Sequence, residues 1–297
     1  MNDSPVVCPI CHENAIHQGT KKGEFIPRDF HLERCPSCQF CFVSNPCTDW
    51  DALYNDAYYR GRGADPLVNF MYEIRNPSKT IRHYEYTGIV KIVNALKPLA
   101  PNTRWLDFGC GPGGLVRHVK HSYSCDIVGF DTNPVYLETG NDPSSFIPPE
   151  QVGNLKEEFD VVTAIEVLEH VVEPVECLSL IRKLLKPGGV FFYTTGNSEK
   201  HRDHILDWSY FRPETHISLF EPQTMSKALQ LAGFTPFHIG FTDGFEDIIL
   251  FKILKNLGMT NVHSFLKFLP VNTIARYVDR KYGVTSFPVG LVPAEVA

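Results

Sequence analysis

The chain has 297 residues, 43% of them hydrophobic and 21% charged, which allows one sizeable core plus a minor module and excludes disorder as the default. A net charge of -6 argues against broad capture of a phosphate backbone, which needs a basic face, so nucleic acid is a poor partner and a small or locally recognised one fits better. No basic region followed by an apolar leader, and no run of the ~18 to 20 apolar residues that span a bilayer, is present, so a cytoplasmic location is expected.

Residues 1–47 are cysteine-rich. CPIC at 8–11 and CPSC at 35–38 form a C-x2-C-x23-C-x2-C arrangement, in which each turn presents two thiolates and two turns complete a tetrahedron. The spacing predicts a zinc site on Cys8, Cys11, Cys35 and Cys38, with Cys41, His12 or His31 as substitute ligands. Nine cysteines is an odd number, which also disfavours a secreted disulfide framework. Four protein ligands close the coordination sphere, so the metal is expected to be structural and to fold a module too small to bury its own core. Residues 48–80 carry LYNDAYYRGRGADP, whose Gly and Pro break regular structure, and read as a linker with one short helix.

From 81 to 242, helical periodicity alternates with the short apolar runs RWLDFG, DIVGFD, FDVVTAIE, GGVFFYTT and FTPFHIGF. The alternation predicts an α/β domain, a doubly wound and mostly parallel sheet with helices on both faces. In RWLDFGCGPGG, residues 104–114, a strand ends at Asp107 and runs into Gly109, Gly111, Gly113 and Gly114, which allow a tight turn and close approach of a ligand to the backbone. These glycines also satisfy the GxGxxG pattern of a dinucleotide site. Asp131, at the tip of the next strand in DIVGFDTNP, can accept from both hydroxyls of a ribose, which either nucleotide class requires.

LDFGCGPGG, GFDTNP, FDVVTAIEVLEHV at 159–171, LLKPGGVFFYTT at 184–195 and THISLFEPQTMSKALQLAGF at 215–234 together resemble the ordered motifs of class I S-adenosylmethionine-dependent methyltransferases. The resemblance implies a seven-stranded Rossmann-like sheet with S-adenosylmethionine as cofactor. It assigns Asp107, Gly109 and Gly111, with Gly113 in the same loop, to the methionine end, Asp131 to the ribose, and Ile165 with Glu166 to the wall beside the methyl group. CQFCFVSNP followed by LYNDAYY is similar to a group of these enzymes that carry an N-terminal zinc ribbon and act on sugars, glycans or secondary metabolites.

Methyl transfer needs an aligned nucleophile and, for a hydroxyl acceptor, a base. Glu166, Glu169 and His170 fall at i, i+3 and i+4 if VLEHV begins a helix, and His170 is the first candidate; a second metal on these three is a weaker reading. HRDHILDWSY, residues 201–210, follows the fifth strand, where loops build an acceptor pocket, so His201, Asp203, His204 and Tyr210 are candidate pocket residues with Trp208 as a wall. His216 is a third candidate base after His170 and His204. Residues 243–297 read as an amphipathic helical extension; from Ile248 onward it has six basic residues (Lys252, Lys255, Lys267, Arg276, Arg280, Lys281) against Asp279 and Glu295. It is expected to pack on the domain or a second subunit, or to meet a membrane surface. The expected activity is methyl transfer to a hydroxyl oxygen of a small molecule or sugar precursor. A ribosomal-RNA base methyltransferase and a non-catalytic S-adenosylmethionine-binding regulator are the alternatives.

Overall fold

The computed structural model describes residues 5–63, 69–262, 266 and 268–293; Lys267 and Glu295 of the basic count lie outside these described residues. Three antiparallel strands form the N-terminal ribbon: β1 Ile16–Lys22, β2 Asp29–Arg34 and β3 Cys41–Val43. The segment after it holds three short helices, α1 Trp50–Leu53, α2 Asp56–Tyr59 and α3 Phe70–Arg75. The caps of α2 and α3 are local: the Asn55 and Asn69 side chains accept from the amides of Tyr58 and Tyr72.

The main domain alternates α4 Arg82–Leu96, β4 Arg104–Phe108, α5 Gly114–Ser122, β5 Asp126–Phe130, β6 Phe146–Ile147, α6 Pro149–Val152, β7 Phe159–Ile165, α7 Pro174–Leu184 and β8 Leu185–Thr194. After β8 come β9 Ser218–Leu219, α8 Pro222–Leu231, β10 Thr235–Phe237, α9 Phe245–Asn256, α10 Val271–Tyr282 and β11 Val289–Leu291. The seven-stranded sheet has the order β10-β11-β8-β7-β4-β5-β6, and β11 alone runs antiparallel to its neighbours. Chain order reverses between β4 and β7, and in such sheets ligands bind at the carboxyl ends of the strands flanking that point. Two apolar layers sandwich the sheet. Val162, Ala164, Leu178, Ile181 and Phe191 belong to one, and Ile89, Ile92, Trp105, Val116 and Val161 to the other, alternating along β7 as two-sided strands require.

Two features of the fold lay outside the sequence pattern. The last sheet strand, β11, comes from residues 289–291, so the C-terminal segment completes the sheet after α9 and α10 have been inserted between β10 and β11. Helix α9 crosses α4 closely because Gly88 has no side chain: a Cβ there would stand 2.5 Å from the Gly244 carbonyl oxygen. The second feature is β9, which pairs with β3 and becomes the fourth strand of the ribbon sheet, β1-β2-β3-β9. Among the described residues no helix is long and apolar enough to cross a membrane.

Candidate active site

A cavity of about 1570 Å³ opens at the carboxyl ends of β4, β5, β7 and β8. Pockets for one drug-sized ligand occupy roughly 300 to 1,000 Å³, so the space suits a cofactor and an acceptor together. Its lining includes Asp107, Gly109, Gly111, Asp131, Ile165, Glu166, His170, Trp208, Tyr210 and His216.

On one side, β4 runs into the glycine turn, where Gly109 and Gly111 have φ of 75° and 50°, a left-handed conformation that side chains disfavour. The amides of Gly111 and Asn133 donate to the Asp131 carboxylate at 2.8 and 2.9 Å, fixing it at the rim with acceptor capacity left on both oxygens. Burial raises the Asp131 carboxyl and those two amides oppose the shift. Asp107 is buried and accepts from the Thr163 hydroxyl at 3.0 Å, while Trp105 donates to Thr163 at 2.9 Å, so a three-member relay sets the carboxyl's direction. Burial pushes its carboxyl up to about 7, the behaviour of an acid waiting for a cation. Gly113 does not line the cavity; with φ 82° it caps α5, and its open side faces Phe146 and Asn141.

Beside the loop lies a buried ionic group on α3 and α4 that the sequence reading missed. Arg82 donates to Glu73 at 3.0 Å and pairs closely with Glu85, yet its Nη2 and the Glu85 Oε1 are buried without a hydrogen-bond partner. An orphaned donor and an orphaned acceptor side by side suit a zwitterion, and an amino-acid moiety offers one. This fits S-adenosylmethionine: Arg82 can take the carboxylate, Asp107 or Glu85 the ammonium, and Asp131 the ribose. The i, i+3 spacing of Arg82 and Glu85 on a helix ahead of the glycine loop was the available signal.

The other side of the cavity is assembled from distant segments. Glu166 adopts φ 55° and its amide continues the ladder to the Thr194 carbonyl at 3.0 Å, after which Leu168–His170 forms a single 3-10 turn in place of the expected helix start. Burial opposes ionisation of Glu166, but Lys252 of α9, 2.9 Å away, holds it down to about 2. Burial and the Glu166 charge push Glu169 up to about 8, so two neighbouring carboxyls are driven apart. The Tyr210 hydroxyl donates to Glu169 at 2.6 Å, and Thr195 donates to its other oxygen at 2.9 Å. Lys252 had been counted in the basic C-terminal segment; the α4–α9 contact brings it here.

The His170 and His216 rings meet edge to face at 5.0 Å. His170 Nδ1 lies 2.9 Å from the Thr215 carbonyl and from the Tyr54 hydroxyl, and His216 Nδ1 lies 2.5 Å from the Tyr210 carbonyl. Carbonyls only accept, so Nδ1 is the protonated nitrogen in both rings and Nε2 the basic one. Glu169, His170 and His216 present ligand atoms within 4.8 Å of one another, so the geometric triplet contains His216 where the sequence offered Glu166. His204 and Asp203 are exposed and do not line the cavity; His204 meets His201, whose ring stacks on Trp208 at 4.4 Å.

In the ribbon, the thiols of Cys8, Cys11, Cys35 and Cys38 gather with Sγ–Sγ distances of 3.6 Å for Cys8–Cys38, 3.3 Å for Cys11–Cys35 and 3.6 Å for Cys11–Cys38. These are too long for disulfides and close to the edge of about 3.8 Å that Zn–S bonds of about 2.3 Å give a tetrahedron. Cys41 is buried outside this group, among Phe30, Leu32 and Leu219.

A methyltransferase-domain family model matches residues 78–239. The ubiquinone biosynthesis O-methyltransferase of Dinoroseobacter shibae is 29% identical over 174 residues, covering 51% of this chain and 66% of that protein. The sterol 24-C-methyltransferase of Debaryomyces hansenii is 38% identical over 150 residues, covering 45% and 40%. The chain thus spans less than two thirds of the length of these curated relatives. Among solved structures, phosphoethanolamine N-methyltransferase 2 of Haemonchus contortus with S-adenosyl-L-methionine has a TM-score of 0.47 at 15% identity, covering 86% of this chain and 62% of that one. With the family match over more than half of its length and the strand order of the sheet, the chain belongs to the class I S-adenosylmethionine-dependent methyltransferases.

Proposed function

We propose that the protein transfers a methyl group from S-adenosylmethionine to a hydroxyl oxygen of a small-molecule or sugar-like acceptor. The observation that carries the reading is the single cavity joining the glycine turn and Asp131 to His170, Tyr210 and His216. When bound, the cofactor supplies an electrophilic methyl on a sulfonium. The chain's own work is then to align an oxygen and take its proton. His170 and His216, each held through Nδ1, offer Nε2 as the base, and Tyr210, its hydroxyl held from behind by Glu169, orients the acceptor. Tyr54, Trp208, Tyr277 and Tyr282 give the lining flat apolar faces. Relatives named for ubiquinone and sterol methylation support a small-molecule acceptor.

The four ribbon cysteines are read as a structural zinc site, on the strength of their spacing and their tetrahedral fit. Contact with a membrane surface fits α10 at the cavity mouth, where Tyr277 is exposed beside Arg276, Arg280 and Lys281.

Calorimetric titration with S-adenosylmethionine and separately with NAD, alongside elemental analysis, tests the cofactor and the metal. Micromolar binding of S-adenosylmethionine and about one zinc per chain are expected, followed by labelled-methyl transfer to a panel of phenols and sugars. Binding of NAD alone would sink the reading.

A further inference from the structure

The ribbon does more than sit beside the domain. The chain leaves β8 at Thr194, passes through the 3-10 segment Ser198–Asp207, and returns through β9, and this excursion carries Trp208, Tyr210 and His216 into the cavity. Its outer side is fastened to the ribbon along its length. Lys21 of β1 donates to the Phe211 carbonyl at 2.8 Å, and the Phe25 amide donates to the buried Glu214 at 3.0 Å. The Val43 amide donates to the Ile217 carbonyl at 2.9 Å, and Cys41 and Phe42 face Leu219 and Ser218 across the β3–β9 ladder. Phe30, Leu32 and Val43 share one apolar cluster with Ile205, Phe211, Ile217 and Leu219.

The end of the excursion is tied to the cysteine cluster itself. Glu221, with no exposed surface, accepts from Arg34 of β2 at 3.2 Å and from Arg202 of the 3-10 segment at 2.7 Å. The Thr224 hydroxyl donates to the Cys38 carbonyl at 2.6 Å. The His216 imidazole is held by the Tyr210 carbonyl, and His170 by the Thr215 carbonyl, so any shift of this excursion moves both imidazoles.

We propose that the ribbon buttresses the outer side of the acceptor-pocket wall, and that Glu221 and Lys21 are positioning residues which hold segment 197–221 so that Tyr210 and His216 keep their places. Its functional meaning rests on the acceptor-side reading above. The cofactor side, with its loop amides and Asp131, is built within the main sheet and should not feel the ribbon's state.

Hydrogen exchange on the 297-residue chain, before and after stripping of zinc with a chelator, tests this, together with Glu221→Gln and Lys21→Met in metal-loaded protein. Expected are exchange about tenfold faster in residues 197–219, no change in residues 104–131, and S-adenosylmethionine affinity within about twofold. In the two variants the His170 and His216 imidazole NMR resonances should shift, which an inert structural tie would not cause. Two results would overturn the proposal: protection of 197–219 that survives both variants, or exchange rising equally in 104–131 with loss of cofactor binding. None of these readouts depends on methyl transfer, so the proposed reaction can fail while the ribbon's role stands, and the reverse.

Discussion

The two sides of the cavity are built by different means. The proposed cofactor side is local at its centre: Asp107, Gly109 and Gly111 lie within five residues, Asp131 answers Gly111 from the end of the adjacent parallel strand, and only the Arg82–Glu85 group is added from a helix. The acceptor side gathers Tyr54, Glu166, His170, Tyr210, His216 and Lys252, with Glu169 behind Tyr210, from four stretches of chain, and part of it leans on the ribbon. A locally encoded site is fixed once its strand and turn form, whereas a gathered one depends on every element that delivers a residue.

The sharpest way to break this contrast is Asp131→Ala. Loss of two hydrogen bonds to a charged acceptor, at about 1.5 kcal/mol or more each, should weaken S-adenosylmethionine at least 100-fold in calorimetry. A weakening of less than about tenfold would mean that the ribose is held elsewhere.

On the acceptor side, alanine at whichever of His170 and His216 takes the proton should lower turnover about 100-fold with cofactor affinity intact. His204→Ala should leave both unchanged, since that ring lies outside the cavity. Full turnover in His170→Ala and in His216→Ala would remove the base from this pair.

Arg82→Lys keeps the charge inside its two-carboxylate cage and loses the fork that leaves Nη2 available, so cofactor affinity should fall about tenfold while the fold persists. Unchanged affinity would assign the carboxylate to another donor.

The smallest effect concerns pH. Burial pushes Asp107 up to about 7, above its ordinary 3.8, so lowering pH from 8 to 6 should protonate it and weaken cofactor binding several-fold, a dependence that Asp107→Asn should flatten. For the protein alone the sign is opposite. A carboxyl raised in the folded state contributes stability that is present below its ordinary value and is lost as pH rises through about 7, so thermal scans should show Asp107→Asn gaining most at high pH.

The glycine turn and its two acids are legible because their information is contiguous. A strand ending in an acid, then glycines, then a second strand ending in an acid is a pattern that secondary-structure periods and φ requirements write directly into sequence. The cysteine pairs were legible for a similar reason, each CxxC turn being a local unit. Lys252 was not: it reads as one basic residue on an amphipathic helix, and only the close crossing at Gly88 turns that helix toward Glu166. Arg82 is not singled out by any sequence motif; its burial, which strips its water and leaves Nη2 without a partner, is a product of the tertiary packing. His204 and His216 are both candidate bases in the sequence, and the path of one excursion brings only His216 to the cavity.

By itself, then, the sequence determined the class of fold, the glycine turn with its two acids and the four-thiol cluster, because each rests on a short span of backbone geometry or ligand spacing. Tertiary structure alone decided that residues 289–291 close the main sheet, that Ser218–Leu219 join the ribbon's sheet, and which charged side chains turn inward. Such choices depend on the shape and desolvation of surfaces far apart in the chain, and no local pattern carries that information.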